Sequence, residues 1–402
     1  MPDFHPAWQS ALRWFLIDQP AGLRIFRSRE LLTRGVNVLV TGGTGLIGGE
    51  LLRALIDHPI GKVWALARSR NQAGPALRIA DRLSRTSSGI DPDEDHGVIP
   101  VAGDISADRL GLSAMDYDEI RNEADIIIHS AAETSFIRSD SCSRTNVAGS
   151  KHLIDFGRTC RRNPLFVYIS TAFVSGVMSN KLVHEDESLR PENEHHNEYT
   201  RSKAVAEQMV RDSGLPVLIV RPSIVLSAGL SCLQFARAIL WFVPLLKELD
   251  AIPVNPAGRP DVVPVSFVVD SIIGLLEQPK LKYDCYHLSA SHEGSGPYST
   301  LSEVTDRFYD RSKPLELIRP AEWTREMHRR VIRTPLQRKI FASLRNYLPF
   351  LNMSVLYDHS RLREELGSRF PALPPFQSYF AELLGVLSTD PVAGRMLNAV
   401  RA

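Results

Sequence analysis

Short apolar runs recur along the chain from Gly35 onward, and most are separated by stretches whose apolar residues lie three or four positions apart. Continuous apolar runs are typical of strands buried on both faces, and their alternation with helices predicts a parallel sheet. The pattern therefore predicts an α/β fold, a Rossmann-like doubly wound parallel sheet with helices on both faces. The predicted strands are 36–41, 63–67, 98–101, 126–129, 165–169 and 217–220, and the first predicted helix is 46–58.

Both ends of the chain depart from this alternation. Residues 1–34 carry apolar residues near helical spacing, which predicts a helical segment packed on the main domain and leaves contact with a membrane surface open. Residues 35–230 are predicted to form the Rossmann domain. Residues 231–402 are predicted to form a smaller, mostly helical subdomain, with part of 262–290 returning to the Rossmann sheet.

Composition narrows the class of protein. The formal net charge is +1, which gives no reason to expect nucleic acid as a partner. The 12 histidines and four cysteines show neither HExxH nor CxxC spacing, so we expect no metal site and reduced thiols in a cytoplasmic protein. Asp3, His5 and Trp8 interrupt any apolar run near the start, so we expect no secretory signal there. The longest apolar stretch, 235–246, is too short to span a bilayer.

A glycine-rich stretch follows the first predicted strand. Residues 41–48 read Thr-Gly-Gly-Thr-Gly-Leu-Ile-Gly and lead into the first predicted helix. Glycines allow a tight turn and close approach to a pyrophosphate, whose charge then meets a helix N-terminus. This context predicts a dinucleotide fingerprint built on Gly42, Gly45 and Gly48, with cofactor contacts also from Thr44, Leu46 and Ile47.

Basic residues follow the second predicted strand. Arg68 stands where an enzyme that uses NAD would carry an acidic residue for the ribose 2′-hydroxyl, and an arginine there fits the 2′-phosphate of NADP. Arg70, Arg78 and Arg82 make the neighbourhood basic, and Arg78 is the predicted second phosphate contact. After the third predicted strand, Asp104 is predicted to accept a hydrogen bond from the adenine amino group, with Ile105 beside it.

A Tyr-x-x-x-Lys motif supplies candidate catalytic residues. Tyr199 and Lys203 share a face if 199–203 is helical, and a fixed ammonium group near the phenol is expected to lower the pKa of Tyr199. Thr171 follows the fifth predicted strand and is the expected second hydrogen-bond donor. Asn146 is expected to hold a proton-relay water near Lys203. A second copy of the motif, 309–313, lies outside the strand–helix repeat and is interpreted as accidental.

Together these residues resemble the extended short-chain dehydrogenase/reductase superfamily, and within it the fatty acyl-CoA reductase and thioester reductase group. The resemblance implies that Thr171, Tyr199 and Lys203 are catalytic. Ala131, Asn146, Lys203 and Pro222 complete the expected cofactor contacts. Ser266 stands where this group usually has an acidic residue, and the last hundred or so residues match it only loosely. The matching stretches are TGGTGLIG (41–48), ALAR (65–68), GDIS (103–106), HSAAETSF (129–136), TNVAGS (145–150), ISTAFVSG (169–176), YTRSKAVAE (199–207), LPVLIVRPSIV (215–225) and DVVPVSFVVDSI (261–272).

The resemblance implies an NADPH-dependent reductase of acyl thioesters, carried on CoA or on an acyl or peptidyl carrier protein. The expected product is the aldehyde, and further reduction to the alcohol stays open. The alternatives are an NADP-dependent ketone or alcohol oxidoreductase and a sugar-nucleotide epimerase or dehydratase. A non-catalytic dinucleotide sensor is the third hypothesis, and the complete Tyr/Lys/Thr set argues against it.

The apolar segment 231–246 is a candidate for contact with the acyl chain of the substrate. It follows the sixth predicted strand and carries Phe235, Ile239, Leu240, Trp241 and Phe242. Two interpretations are equally supported: a helix that packs on the C-terminal helices, or one wall of a channel for an apolar acyl chain.

Overall fold

The computed structural model describes residues 32, 35–69, 74–86, 97–134, 139–187, 193–226, 243–345 and 347–389. The predicted N-terminal helix lies outside the described residues, apart from the buried Leu32. Residues 231–242 of the predicted channel helix, together with Arg70, also lie outside them. The predicted domain boundary at residue 230 falls in the same gap, so the division into domains stays a prediction.

The sheet confirms the predicted fold class. Seven parallel strands lie in the order β3-β2-β1-β4-β5-β7-β11, so the strand order reverses between β1 and β4. This reversal is the switch point at which doubly wound sheets bind ligands. The strands in chain order are β1 (Val38–Thr41), β2 (Val63–Ala67), β3 (Val98–Ala102), β4 (Ile126–His129), β5 (Leu165–Ile169), β6 (Leu182–Val183), β7 (Val217–Pro222), β8 (Ile224–Leu226), β9 (Ala251–Ile252), β10 (Val262–Pro264), β11 (Cys285–Leu288), β12 (Glu316–Leu317) and β13 (Leu356–Tyr357).

Helices cover both faces of this sheet. Those described are α1 (Leu46–Ile56), α2 (Pro75–Leu83), α3 (Ala114–Glu123), α4 (Ser139–Cys142), α5 (Gly149–Thr159), α6 (Glu198–Arg211), α7 (Val265–Leu276), α8 (Ser291–Gly294), α9 (Tyr298–Phe308), α10 (Arg325–Val331), α11 (Pro335–Leu344), α12 (Leu348–Leu351), α13 (Ser360–Leu366) and α14 (Phe376–Thr389). A π-helical segment, Ser143–Ala148, joins α4 to α5.

Side chains of each strand point alternately to two cores. On β1, Val38 and Val40 pack with α1, α2 and α7, whereas Leu39 packs with α3, α5 and α6. Because side chains of a strand alternate between faces, a strand buried on both sides must be apolar throughout. This explains why the strands appear in the sequence as continuous apolar runs.

The C-terminal helices enclose a further apolar core. It is formed by α9, α11 and α14 together with the short strand pairs β8–β10 and β9–β12. Strand β11, within 262–290, joins the edge of the main sheet beside β7. The helical part is thereby held next to the carboxyl ends of β5 and β7. Within the described residues, no helix is long and apolar enough to cross a membrane.

Candidate active site

The glycine-rich loop between β1 and α1 has a backbone that only glycine adopts without strain. Gly42 has φ +77°, and a Cβ placed on it would lie 2.5 Å from the backbone nitrogen of Ala131. A Cβ on Gly48 would lie 2.2 Å from the carbonyl oxygen of Gly42. The chain therefore turns tightly here and leaves no room for side chains, which is the shape of a cradle for a dinucleotide pyrophosphate.

The first turn of α1 faces the same cradle. Gly45 precedes the helix with an extended backbone and provides no side-chain cap. The first backbone N–H groups of a helix have no partner within the helix, so those of α1 are oriented to bind an anion. Gly45, Leu46 and Ile47 all line the large cavity described below.

Arg82 supports the loop from beneath and is not part of a basic surface. Its side chain is 3% exposed and donates hydrogen bonds to the carbonyl oxygens of Gly45 and Leu46 at 3.0 and 3.1 Å. It also pairs with the buried carboxylate of Glu50 at 3.0 Å. The sequence places Arg82 in a basic neighbourhood, and the structure shows that its guanidinium group is turned inward and paired with Glu50.

Arg68 and Arg78 meet at the end of β2, beside the glycine-rich loop. Arg68 is exposed. Arg78 donates one hydrogen bond to the Thr44 hydroxyl at 3.3 Å and another to the carbonyl oxygen of Arg68. The structure thus brings the guanidinium group of Arg78 to the backbone of Arg68, 10 residues earlier in the chain, beside the position expected for a ribose phosphate.

Asp104 and Ile105 lie after β3, as the sequence predicts. One carboxylate oxygen of Asp104 accepts hydrogen bonds from the backbone N–H and the hydroxyl of Ser106, at 2.9 and 2.7 Å. Ile105 is buried and packs beside Gly149 of α5. The carboxylate of Asp104 therefore shapes its own loop, and the side chain of Ile105 belongs to the core. Their contacts with adenine stay predictions.

Ala131 lies at the switch point of the sheet. Its backbone N–H donates to the Thr41 hydroxyl at 3.4 Å, and that hydroxyl lies 2.8 Å from Nδ1 of His129. Burial, and secondly the charge of Lys203, lowers the pKa of His129 to about 3. A neutral His129 therefore ties the ends of β1 and β4 together below the expected cofactor position.

Thr171 and Tyr199 come together above the carboxyl end of β5. Thr171 follows β5 and its hydroxyl donates to the carbonyl oxygen of Pro222 at 3.4 Å. Tyr199 is in the first turn of α6, whose N-terminus is capped by the Asn197 side chain. Burial raises the pKa of Tyr199 to about 12, although a hydrogen bond with Thr171 opposes this increase. The phenol is therefore protonated at neutral pH and can donate to a substrate oxygen.

Lys203 is held by the backbone of β5. Its Nζ donates to the carbonyl oxygen of Ile169 at 2.7 Å and lies 4.1 Å from the centre of the Tyr168 ring. Burial lowers the pKa of Lys203 to about 7, while the charge of Glu207 acts in the opposite direction. The predicted lowering of the Tyr199 pKa by Lys203 is not found in this structure, where burial raises that pKa and Thr171 is the group that opposes the increase.

Asn146 lies in the π-helical segment and is almost fully buried. Its amide nitrogen donates to the carbonyl oxygen of Glu133 and the hydroxyl of Ser202, and its amide oxygen accepts from the backbone N–H of Glu133. Both donor hydrogens are thus used within the protein, and the amide pins the loop after β4 to α6. Its role in a water relay stays a prediction.

A buried ion pair, which sequence reasoning missed, supports the catalytic residues. The side chains of Glu207 and Arg221 are 3% and 2% exposed, and Nη2 of Arg221 lies 2.6 Å from the Glu207 carboxylate. Glu207 also accepts from the Ser170 hydroxyl at 2.6 Å. Burial opposes ionisation of Glu207, but Arg221, Arg211 and Ser170 together outweigh it and hold the pKa at about 2. Glu207 lies one helical turn after Lys203, and this spacing is the only signal of it in the sequence.

One cavity of about 390 Å³ connects these parts. It begins at the N-terminus of α1, passes Thr171, Tyr199 and Pro222, and continues into the C-terminal helical part. Its far walls are predominantly apolar. These walls include Leu246, Ile252, Val254, Val262, Leu301, Leu315, Leu317, Leu351, Phe376 and Phe380.

The second Tyr-x-x-x-Lys copy differs from the first in its helical geometry and in its position relative to the cavity. Helix α9 ends at Phe308, so Tyr309 caps the helix and does not share a helical face with Lys313. Neither residue is among those that line the cavity. The geometry of the first copy therefore has no counterpart at the second.

A doubly wound parallel sheet, a glycine cradle at its switch point and a Thr/Tyr/Lys cluster beside it define an NAD(P)-dependent oxidoreductase of the extended short-chain dehydrogenase/reductase type. The chain belongs to the NAD-binding family described as "Male sterility protein", whose model matches residues 40–272.

The relatives include peptide synthetases and fatty acyl-CoA reductases. The nonribosomal peptide synthetase asaC of Aspergillus flavus is 28% identical over 267 residues, covering 62% of this chain and 26% of that protein. The chloroplastic fatty acyl-CoA reductase 2 of Arabidopsis thaliana is 22% identical over 357 residues, covering 69% and 58%. The chain spans between 5% and 58% of the length of the curated relatives it matches.

Among solved structures, the terminal R domain from the myxalamid PKS-NRPS biosynthetic pathway shares the fold. It superposes with a TM-score of 0.71 at 23% identity, covering 89% of this chain and 92% of that chain. The superposition therefore extends beyond the segment matched by the family model, into the C-terminal helices.

Proposed function

We propose that this protein reduces acyl thioesters to aldehydes with NADPH. The observation that carries the proposal is the single cavity that leads from Thr171 and Tyr199 into a predominantly apolar chamber. A thioester carbonyl placed at those two hydroxyls would have its acyl chain in the chamber. The fatty acyl-CoA reductases and peptide synthetases among the relatives support this class of substrate.

The choice of NADPH rests on Arg68 and Arg78. Both lie beside the glycine-rich loop, and neither is fully buried. Two guanidinium groups at this position would bind the 2′-phosphate that distinguishes NADPH from NADH. Asp104, Ile105, Ala131, Asn146 and Pro222 remain the proposed further cofactor contacts.

The chemistry would use the hydroxyls of Thr171 and Tyr199. When bound, NADPH supplies the hydride for the carbonyl carbon. Thr171 and Tyr199 would hydrogen-bond the carbonyl oxygen and stabilise the negative charge that develops on it. Because burial keeps Tyr199 protonated, its phenol can then give a proton to that oxygen. Collapse of the resulting hemithioacetal expels thiolate and leaves the aldehyde.

Lys203 would support Tyr199 and the cofactor from below. Its ammonium group is fixed at Ile169, close to the end of β5. A proton released near the phenol would meet a lysine whose pKa is about 7, which is well matched to neutral conditions. In this proposal Thr171, Tyr199 and Lys203 together form the catalytic set.

The apolar walls disfavour a sugar-nucleotide epimerase. A sugar offers many hydroxyls, and a site for it needs polar partners, whereas this chamber is lined mainly by Leu, Ile, Val and Phe. A ketone or alcohol oxidoreductase differs from a thioester reductase in its product. A ketone substrate has no thiolate to expel.

The test uses the purified protein with NADPH and a series of saturated acyl-CoAs. Each reaction is followed through the nicotinamide absorbance and through release of free CoA. We expect thiol release, an aldehyde product, and catalytic efficiency that rises with acyl length until the chamber is full, because each buried methylene contributes about 0.8 kcal/mol.

Parallel reactions with an acyl-carrier protein and with a ketone of similar length complete the test. NADPH oxidation with the ketone but without any thiol release from thioesters would contradict the proposal. A carrier-protein substrate favoured over acyl-CoA would identify the partner that presents the acyl chain. The aldehyde is then added alone to determine whether a second reduction gives the alcohol.

A further inference from the structure

Helix α9 lines the cavity with three residues that carry hydroxyl groups, Tyr298, Ser302 and Thr305, among mostly apolar neighbours. Tyr298 and Ser302 both line the cavity and lie four residues apart, so they are neighbours on one face of the helix. Leu301 lies between them, and Leu315, Phe376 and Phe380 line the surrounding wall. Thr305, one turn further, is 2% exposed and donates to the carbonyl oxygen of Leu301.

The hydroxyls of Tyr298 and Ser302 differ in what they offer. The Ser302 hydroxyl donates to the carbonyl oxygen of Leu315 at 3.1 Å, so its proton is used and its oxygen remains an acceptor. The Tyr298 ring packs beside Gly258, and its backbone N–H donates to the carbonyl oxygen of Gly258 at 2.9 Å. Its phenol makes no hydrogen bond to any described residue. Burial raises the pKa of Tyr298, so the phenol stays protonated and is a donor.

A plain hydrocarbon chain is a poor complement to this pair. It would displace water from the phenol without offering a hydrogen-bond acceptor in its place. A buried donor that lacks a partner costs free energy. A chain hydroxyl placed between the two residues would accept from Tyr298 and donate to Ser302. A keto oxygen would satisfy only the phenol, because it has no proton to donate.

We propose that Tyr298 and Ser302 form a subsite for a hydroxyl group on the acyl chain, so that the preferred substrate is a hydroxyacyl thioester. This inference rests on the proposed function, because it places the acyl chain in the same cavity. Sites that hydrogen-bond a substrate hydroxyl discriminate strongly against analogues that lack it, since their own polar groups are then left unpaired.

The test compares dodecanoyl-CoA with its monohydroxy positional isomers, which share one chain length. We expect at least one isomer to exceed the unsubstituted thioester in kcat/KM by about fivefold or more, the lower range for one satisfied buried hydrogen bond. Tyr298→Phe should bring that ratio close to one, raising kcat/KM for the plain chain and lowering it for the hydroxylated chain. Ser302→Ala should reduce the same ratio.

The matched control is Tyr309→Phe, which removes a phenol from the end of the same helix outside the cavity lining. It should leave the ratio at the wild-type value. NADPH titration of each variant confirms that the cofactor domain is folded. If the wild type prefers no hydroxylated isomer, or if the preference survives Tyr298→Phe, the subsite is wrong.

Failure of the proposed function is recognised separately. If the wild type reduces none of the thioesters, calorimetry with NADPH-saturated protein compares dodecanol with dodecanediols, which cannot be reduced. Tighter binding of a diol that is lost in Tyr298→Phe would support the subsite without the reaction. Equal binding of both alcohols would overturn it.

Discussion

Nζ of Lys203 lies 2.7 Å from the carbonyl oxygen of Ile169, the last residue of β5. The ammonium group is therefore attached to the strand that ends just before Thr171, and it is 3% exposed. Removal from water lowers its pKa from 10.5 to about 7. Burial at this position thus makes the charge of Lys203 unfavourable in the folded protein.

A pH-dependent stability follows. Above about pH 7 the folded state releases the Lys203 proton, whereas the unfolded chain keeps it up to 10.5, so the unfolded state binds more protons between these values. Stability of the wild type should therefore rise with pH over this range, by about 1.4 kcal/mol per pH unit from this one group. Lys203→Met removes this contribution, so the stability of the variant relative to wild type should fall as pH rises.

Chemical unfolding at several pH values between about 7 and 10 measures this difference. Lys280→Met, at an exposed position, is the control and should give a difference that does not change with pH. If the difference in unfolding free energy between Lys203→Met and wild type also stayed constant with pH, Lys203 would have the ordinary pKa of a lysine. Turnover of Lys203→Met should be largely lost at every pH.

The two Tyr-x-x-x-Lys copies give a second prediction. Tyr199→Phe removes the phenolic proton beside Thr171 and keeps the ring, so kcat should fall by about 10²–10⁴ while NADPH binding is retained. Tyr309→Phe should be nearly silent, because that residue caps α9 outside the cavity lining. Steady-state kinetics and cofactor titration of both variants show which of the two motifs is catalytic. A large loss of kcat in Tyr309→Phe alone would relocate the active site.

Cofactor preference gives a third prediction. Arg68→Ala and Arg78→Ala should each weaken NADPH binding by about tenfold or more and NADH binding little, because a charge-assisted contact to phosphate is lost. Arg85→Ala is the matched control, since Arg85 is exposed and pairs with Asp81. Fluorescence titration with both cofactors measures the effect. Equal losses for NADPH and NADH would show that these arginines do not bind the 2′-phosphate.

The glycine loop gives a fourth prediction. Gly42→Ala forces a Cβ to within 2.5 Å of the Ala131 backbone at φ +77°, so it should destabilise the protein by several kcal/mol, about 3 or more, and abolish cofactor binding. Gly74→Ala is the control, because a Cβ there meets nothing within 4 Å and its φ is −68°. Thermal unfolding of both variants tests this. Normal stability of Gly42→Ala would mean that the loop can relax.

Much of the fold was predictable because the signals are local. A strand buried on both faces must be apolar at every position, and a helix that packs on a sheet repeats its apolar residues every three or four positions. Spacing along the chain therefore identified the fold class and six of the seven strands of the main sheet, all except β11. The glycine-rich stretch was equally recognisable in the sequence, since Gly42 and Gly48 occupy positions where any side chain would collide with backbone.

The burial and the partners of the polar side chains depend on the tertiary structure. Arg78 and Arg82 lie four residues apart in the chain, yet one reaches Thr44 near the surface and the other is buried against Glu50. Likewise, Glu207 meets Arg221 only because α6 packs against β7. Local patterns in the chain were sufficient to show which elements form and which chemical groups follow the strands. Burial, and with it each pKa and hydrogen-bond partner, depends on which elements meet, because desolvation is a property of the assembled neighbourhood.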